Sequence, residues 1–173
     1  MSLPTHSPSG SYCIHDSERT IRPPCLTIAI NATAKRKTLK SILGSGAFTV
    51  GYPSIEQVAE ADWIGMASGY EHDKIAEVGW TTAKAEKVNA PVINELKLTV
   101  ECKVVNTVSI GSHTQITGEV VNIQADESIL DENGKYSLEK LNPIIYDEEH
   151  FAYRAVGSKT ADAFKAGLVY KRS

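Results

Sequence analysis

The sequence predicts a mainly β protein, an antiparallel barrel decorated with short helices, on three observations. The first is a period-two run over residues 96–125, LKLTVECKVVNTVSIGSHTQITGEVVNIQA. Leu98, Val100, Cys102, Val104, Val108 and Ile110 keep to even positions, with Asn106 the only polar one, while Thr99, Glu101, Lys103 and Thr107 take most odd positions. That period means a long strand with one buried face. The second is a partner run beyond Gly111 and Ser112, with Ile116, Gly118 and Val120, whose apolar phase shifts at Val121 and Ile123. Such a shift predicts a bulge, which bends a ribbon and helps to close a barrel. The third is that helical spacings elsewhere are short and inserted between strand patterns, which argues against a parallel α/β sheet.

A chain of 173 residues, 42% hydrophobic and 23% charged, can bury one good core and predicts a single globular domain. No apolar run has the length to cross a bilayer, and the opening MSLPTHSPSG has neither the charged nor the apolar part of a secretory signal. The expected compartment is the cytoplasm, with no membrane partner. A net charge of −3 argues against a general nucleic-acid binder. Cys13, Cys25 and Cys102 show no CxxC spacing, so neither a disulfide framework nor a metal site is expected, and all three read as buried free thiols.

In chain order, residues 1–24 are rich in Pro, Ser and Gly without sustained periodicity and predict an irregular arm. Residues 25–30, CLTIAI, place Leu26, Ile28 and Ile30 on one strand face. The basic run Lys35, Arg36, Lys37 and Lys40 follows; Thr38 is expected to cap a short helix carrying Leu39, Ile42 and Leu43, and Gly44 to end it. Residues 47–52, AFTVGY, predict the next strand. Ser54 and Gln57 form a capping box that opens a helix to about Ser68, with Gly69 at its end. A second short helix spans Asp73 to Val78, stopped by Gly79. Residues 81–88 predict a modest strand before a turn at Asn89, Ala90 and Pro91. Beyond the ribbon, residues 131–135 form a turn, residues 143–146 and 151–156 two short strands, and residues 159–168 a C-terminal helix.

Chemistry concentrates in KRKT at 35–38, where exposed backbone N–H groups, a helix dipole and three cations make an anion site suited to a phosphate monoester. The plain alternative is a solvated basic face. His113 reads either as a polar bend residue or as a group that touches a ligand, and spacing favours the bend. Asp73 and Lys74 read as a helix start plus solvent-facing charge, Glu101 and Glu119 as solvent-facing strand charges, and Trp63, Tyr70 and Trp80 as core aromatics. Gly118 inside a strand predicts a close approach to the backbone.

From Pro23 to the C-terminus the chain resembles the flavin reductase-like, FMN-binding split-barrel family, flavoredoxin branch. The resemblance is carried by PPCLTIAI at 23–30, the basic run with Thr38, FTV at 48–50, ADWIGMASGYEHDK at 61–74, ECK at 101–103, GSHTQITGEV at 111–120 and PIIY at 143–146. It implies a split β-barrel over residues 23–173, preceded by an arm at 1–22 that has no counterpart of the family's flavin-contacting first hairpin. It further implies that Thr38, with Ser41 and the basic residues Lys35, Arg36 and Lys37, holds the FMN phosphate, without choosing among the three cations. His113 matches the family histidine near the flavin and the nicotinamide, and Ser112 stands where many relatives have Asp. The implied activity is NADH- or NADPH-dependent flavin reduction, or electron transfer of the flavoredoxin type with a redox protein partner, by a homodimer. The competing expectation is a non-catalytic FMN-binding module or a cofactor-free remnant.

Overall fold

The computed structural model describes residues 11–13 and 26–171. In chain order it contains β1 (Ser11–Cys13), β2 (Thr27–Thr33), α1 (Lys37–Ser45), β3 (Ala47–Gly51), α2 (Val58–Met66), α3 (Lys74–Glu77), β4 (Thr82–Lys84) and β5 (Pro91–Ile93). The long strands β6 (Leu98–Ile110) and β7 (His113–Asp126) follow, then α4 (Leu138–Leu141), β8 (Ile144–Asp147) and β9 (Ala152–Ala155). Short 3₁₀ turns occupy Ile55–Gln57, Glu127–Ile129 and Ala166–Tyr170. No helix among the described residues is long and apolar enough to cross a membrane.

β6 and β7 form the predicted antiparallel ribbon, joined through Gly111 at φ 57°, a left-handed conformation that glycine adopts at little cost. β3 pairs with the free edge of β6. β2 and β1 share the free edge of β7, β2 against His113–Glu119 and β1 against Gln124–Asp126. The arm therefore contributes a strand where the sequence predicts irregular chain. Three residues with no periodicity of their own gain ladder hydrogen bonds because β7 offers an open edge. The rest of the 1–22 expectation, Pro23, Pro24 and Cys25 lie outside the described residues.

The bulge falls where the phase shift placed it. Glu101 pairs with Asn122 and Cys102 with Val120, leaving Val121 as the extra residue. A second irregularity, at Val105, gave no signal in the pattern.

Two faces of β6 are covered. On one, Val100 and Cys102 pack with Phe48, Ile116 and the α1 residues Leu39 and Ile42, backed by Ile28 and Ile30. On the other, Ala47, Ala85, Val88 and Val92 form a cluster beneath the β4–β5 hairpin. A third cluster, Leu98, Ala125, Ile129 and Leu141, closes the end of the ribbon. Each large apolar side chain fully buried in this way stabilises the fold by about 1.5–3 kcal/mol. A Cβ at Gly118 would lie 2.6 Å from the Phe48 ring and 2.8 Å from Cys102 Cβ, so this strand glycine admits the ring.

Double coverage corrects the one-face expectation. Thr99 and Glu101 are buried along with Leu98, Val100 and Cys102, while Val108 and Ile110 lie exposed beyond the covering elements. Helix ends also differ from the expected ones. α1 is capped by the backbone of Arg36, with no side-chain cap, so Thr38 sits inside the first turn; the helix continues past Gly44 to a left-handed Gly46 at φ 66°. The Ser54–Gln57 box is present, with Gln57 Oε1 accepting the Ser54 N–H at 3.0 Å, but it opens a 3₁₀ turn, and α2 ends at Met66. Asp73 caps α3, Gly79 follows it at φ 73°, and the β8–β9 hairpin forms as expected. The expected strand at 81–88 is only Thr82–Lys84, paired with β5, whose first residue, Pro91, was assigned to a turn. Residues 159–168 form no α-helix; only the 3₁₀ turn Ala166–Tyr170 appears, and it lies exposed, as a short segment does when packing does not stabilise a helix.

Candidate functional site

The start of α1 opens onto a cleft of about 570 Å³ between β3, the α2–α3 connection and the loop before β5. Arg36, Lys37, Thr38 and Ser41 of α1 line it, with Ile30, Ile42 and Phe48 as its apolar wall. The first turn of α1 carries no acidic residue and no side-chain cap. Its first N–H groups therefore have no helical acceptor, and its dipole favours an anion there.

The opposite wall contributes Gly69, His72, Asp73, Lys74 and Ile75. Lys74, expected as a solvent-facing charge, is half-buried and donates Nζ to the Ile64 carbonyl at 2.6 Å. Desolvation first, and the nearby Arg36 charge second, lower its pKa from the ordinary value. A Cβ at Gly69 would stand 3.7 Å from the Lys37 stem and 3.9 Å from Lys74 Cε, so the two lysines flank this glycine. Arg36, Lys37 and Lys74 thus meet across the cleft from elements distant in sequence. The only sequence signal for Lys74 was its place at the end of the 61–74 segment.

His72 joins the same wall. Its Nδ1 lies 3.0 Å from Glu77 Oε1, Trp63 donates Nε1 to Glu77 Oε2 at 3.0 Å, and the Trp63 and His72 rings meet edge-on at 5.4 Å. These hydrogen bonds, that of His72 foremost, hold the Glu77 carboxyl below its ordinary pKa. Trp63 is therefore neither core nor free to stack, and Tyr70 is exposed.

The third wall is Asn89, Ala90 and Pro91. Its fixation involves Glu101, expected at the surface but 0% exposed. Oε1 of Glu101 accepts from Glu86 N, Asn122 Nδ2 and Gln124 Nε2 at 3.2, 2.9 and 2.9 Å, and Oε2 from Lys87 N at 2.7 Å.

The remaining expected site residues sit apart from the cleft lining. Lys35 is exposed in the turn before α1. Ser112 and His113 are exposed at the ribbon bend, with Ser112 Oγ 3.0 Å from His113 Nδ1. The bend adjoins the approach to α1, because His113 pairs with Thr33 and Ala34 N–H donates to the Ser112 carbonyl at 3.2 Å. A second concavity, of about 530 Å³, lies against Lys84, Asn94, Lys97, Thr99, Gln124 and Asp126; it mixes both charges and gathers none of the expected residues.

Fold and cleft together define an antiparallel split-barrel protein with a basic cleft at a helix start. Residues 19–154 match the flavin reductase-like domain, and the chain belongs to that family. It is similar to the flavoredoxin of Desulfovibrio vulgaris (Miyazaki F), with 35% identity and a TM-score of 0.77 over 82% of this chain and 75% of that one. It is also similar to a flavoredoxin from Methanosarcina acetivorans, with 26% identity and a TM-score of 0.76 over 83% and 75%. An uncharacterized protein of Archaeoglobus fulgidus shares 31% identity over 63% of this chain. The chain spans 60–64% of the length of the curated relatives it matches.

Proposed function

We propose that the cleft binds FMN, with the phosphate held by Arg36, Lys37, Thr38 and Ser41 and by Lys74 from the facing wall. The convergence of three cations on an uncapped helix start, beside an apolar wall, is the observation that carries this reading. The residues fit the group: cations and free N–H donors suit a phosphate monoester, and Ile30, Ile42 and Phe48 suit a planar ring. Bound there, FMN would supply two-electron chemistry with a nicotinamide nucleotide and transfer to an acceptor, while the chain supplies binding, orientation and exclusion of water.

The activity is NADH- or NADPH-dependent flavin reduction, or electron carriage of the flavoredoxin type to a redox protein partner, by a cytoplasmic homodimer. His113, with Ser112, would meet the second substrate in the reductase. The exposed position of His113 outside the cleft lining supports the second reading, a carrier or non-catalytic FMN-binding module.

Titration with FMN and riboflavin tests the site. Arg36→Ala with Lys37→Ala should weaken FMN about tenfold or more and riboflavin little, since charge-assisted hydrogen bonds contribute about 1.5–3 kcal/mol each. Equal loss for both would move the phosphate elsewhere, and wild type that binds neither would leave the cofactor-free remnant. Anaerobic mixing with each nucleotide separates the activities: a reductase bleaches rapidly and His113→Ala slows it, whereas a carrier stays oxidised until a protein or chemical reductant is added.

A further inference from the structure

The geometry points to Glu101 as a positioning residue for the cleft, acting through the loop between β4 and β5; this rests on the reading that the cleft takes flavin. Among the described residues the buried carboxylate has four hydrogen-bond partners, all donors, two from backbone N–H groups of that loop and two from β7 side-chain amides. A carboxylate bridges two such sets of donors, and a carboxamide in its place would turn an N–H₂ toward at least one of them. The loop closes on itself through Ala85 N–H to the Ala90 carbonyl at 3.0 Å, and Val88 is buried against Ala47 and Val92. Glu86 and Lys87 therefore fix the near side of a closed loop whose far side, Asn89 to Pro91, forms a cleft wall. Thr49, the strand neighbour of Glu101 and itself in the cleft lining, donates Oγ1 to the Pro91 carbonyl at 2.6 Å and ties down the other end.

The carboxylate is far better connected than strand pairing requires, and its bonds to Glu86 and Lys87 brace the loop whose far side, Asn89 to Pro91, lines the cleft. Glu101 thus sets the position of the third wall relative to α1, and flavin affinity depends on it although it touches no ligand. The wall faces the cationic side without contributing a cation, so FMN and riboflavin lose equally when it shifts.

Amide exchange and flavin titration on the full chain test this. In wild type, saturating FMN should slow exchange at Glu86 and Lys87 relative to the β8–β9 hairpin. Glu101→Gln should speed exchange at those two amides and weaken FMN and riboflavin by the same factor, about tenfold for the loss of one charge-assisted bond. Asn122→Ala, which removes one of the two strand-side donors to the carboxylate and leaves both loop bonds, should lower stability with flavin affinity near wild type. If both variants lower stability and affinity alike, or if FMN leaves the two amides unchanged in wild type, Glu101 is only a structural anchor and the proposal falls. A wild type that binds flavin while Glu101→Gln binds as well overturns the positioning role alone; a wild type that binds neither flavin overturns the cleft reading and this role together.

Discussion

Cys102 has no exposed surface and packs between Phe48 and Ile116. Burial first, then the adjacent Glu101 charge, push its thiol up from 9.0 to about 11. A raised folded-state pKa means that this contribution to stability is full below about pH 9 and is lost as pH rises toward 11. Comparing urea midpoints of wild type and Cys102→Ala across pH 8–11 cancels the other groups titrating there, and the difference should shrink above pH 9. Slow reaction with a disulfide reagent at neutral pH goes with it; rapid labelling would make Cys102 a reactive thiol. The buried side of β6 was legible here, because alternation alone put Cys102 in line with Val100 and Val104. Glu101 one position away was not, since its burial depends on a loop fourteen residues earlier that donates backbone N–H groups to it. Lys74 was missed for the same kind of reason: its burial and the like charge of Arg36 beside it come from elements distant in sequence.

At the level of elements, β6, β7 and the bulge were readable because period-two alternation is a local property that packing reinforces. Helix ends were less so. Arg36 replaces Thr38 as the cap, and Gly46 replaces Gly44 as the stop, because the turn that leads into β3 fixes where the left-handed residue must fall. Strands β3 and β7 meet over β6 at Gly118, where the Phe48 ring rests on bare backbone. Gly118→Ala should destabilise the fold by about 1–3 kcal/mol through overpacking. Because Phe48 lines the cleft, riboflavin binding should weaken as well. Denaturant midpoints and flavin titration of the same variant check both; an unchanged midpoint would mean that the ring moves aside freely.

At the scale of the whole molecule, large apolar residues stand exposed among the described residues: Phe164, Val169 and Tyr170 are 98%, 80% and 86% exposed. Val105 and Ile110 add to this on the outer ribbon. Exposed apolar surface on this scale marks association, and the proposed homodimer would cover it. Sedimentation should give a two-chain mass for wild type, and Phe164→Ser with Tyr170→Ser should shift it toward one chain; a single-chain mass for wild type at micromolar concentration would refute the dimer. The flavin reductase-like barrel was legible from ordered motifs, whereas the C-terminal segment, exposed among the described residues, carries a helical pattern that forms only a 3₁₀ turn.

The extra residue Val121 also governs which changes in length the ribbon can absorb. Before it, Ile116, Gly118 and Val120 turn toward the α1 side; after it, Ile123 and Ala125 do, while Asn122 and Gln124 meet Glu101. Parity is therefore odd on one side of Val121 and even on the other. Removing Val121 itself leaves every other side chain on its present face and costs the bend together with the Val121 packing on the Ala47, Ala85, Val88 and Val92 cluster, whereas losing any single residue between Thr114 and Val120 sends that part of the strand to the wrong side. Val121 marks the place in β7 where the chain can shorten by one and keep its remaining side chains on their present faces.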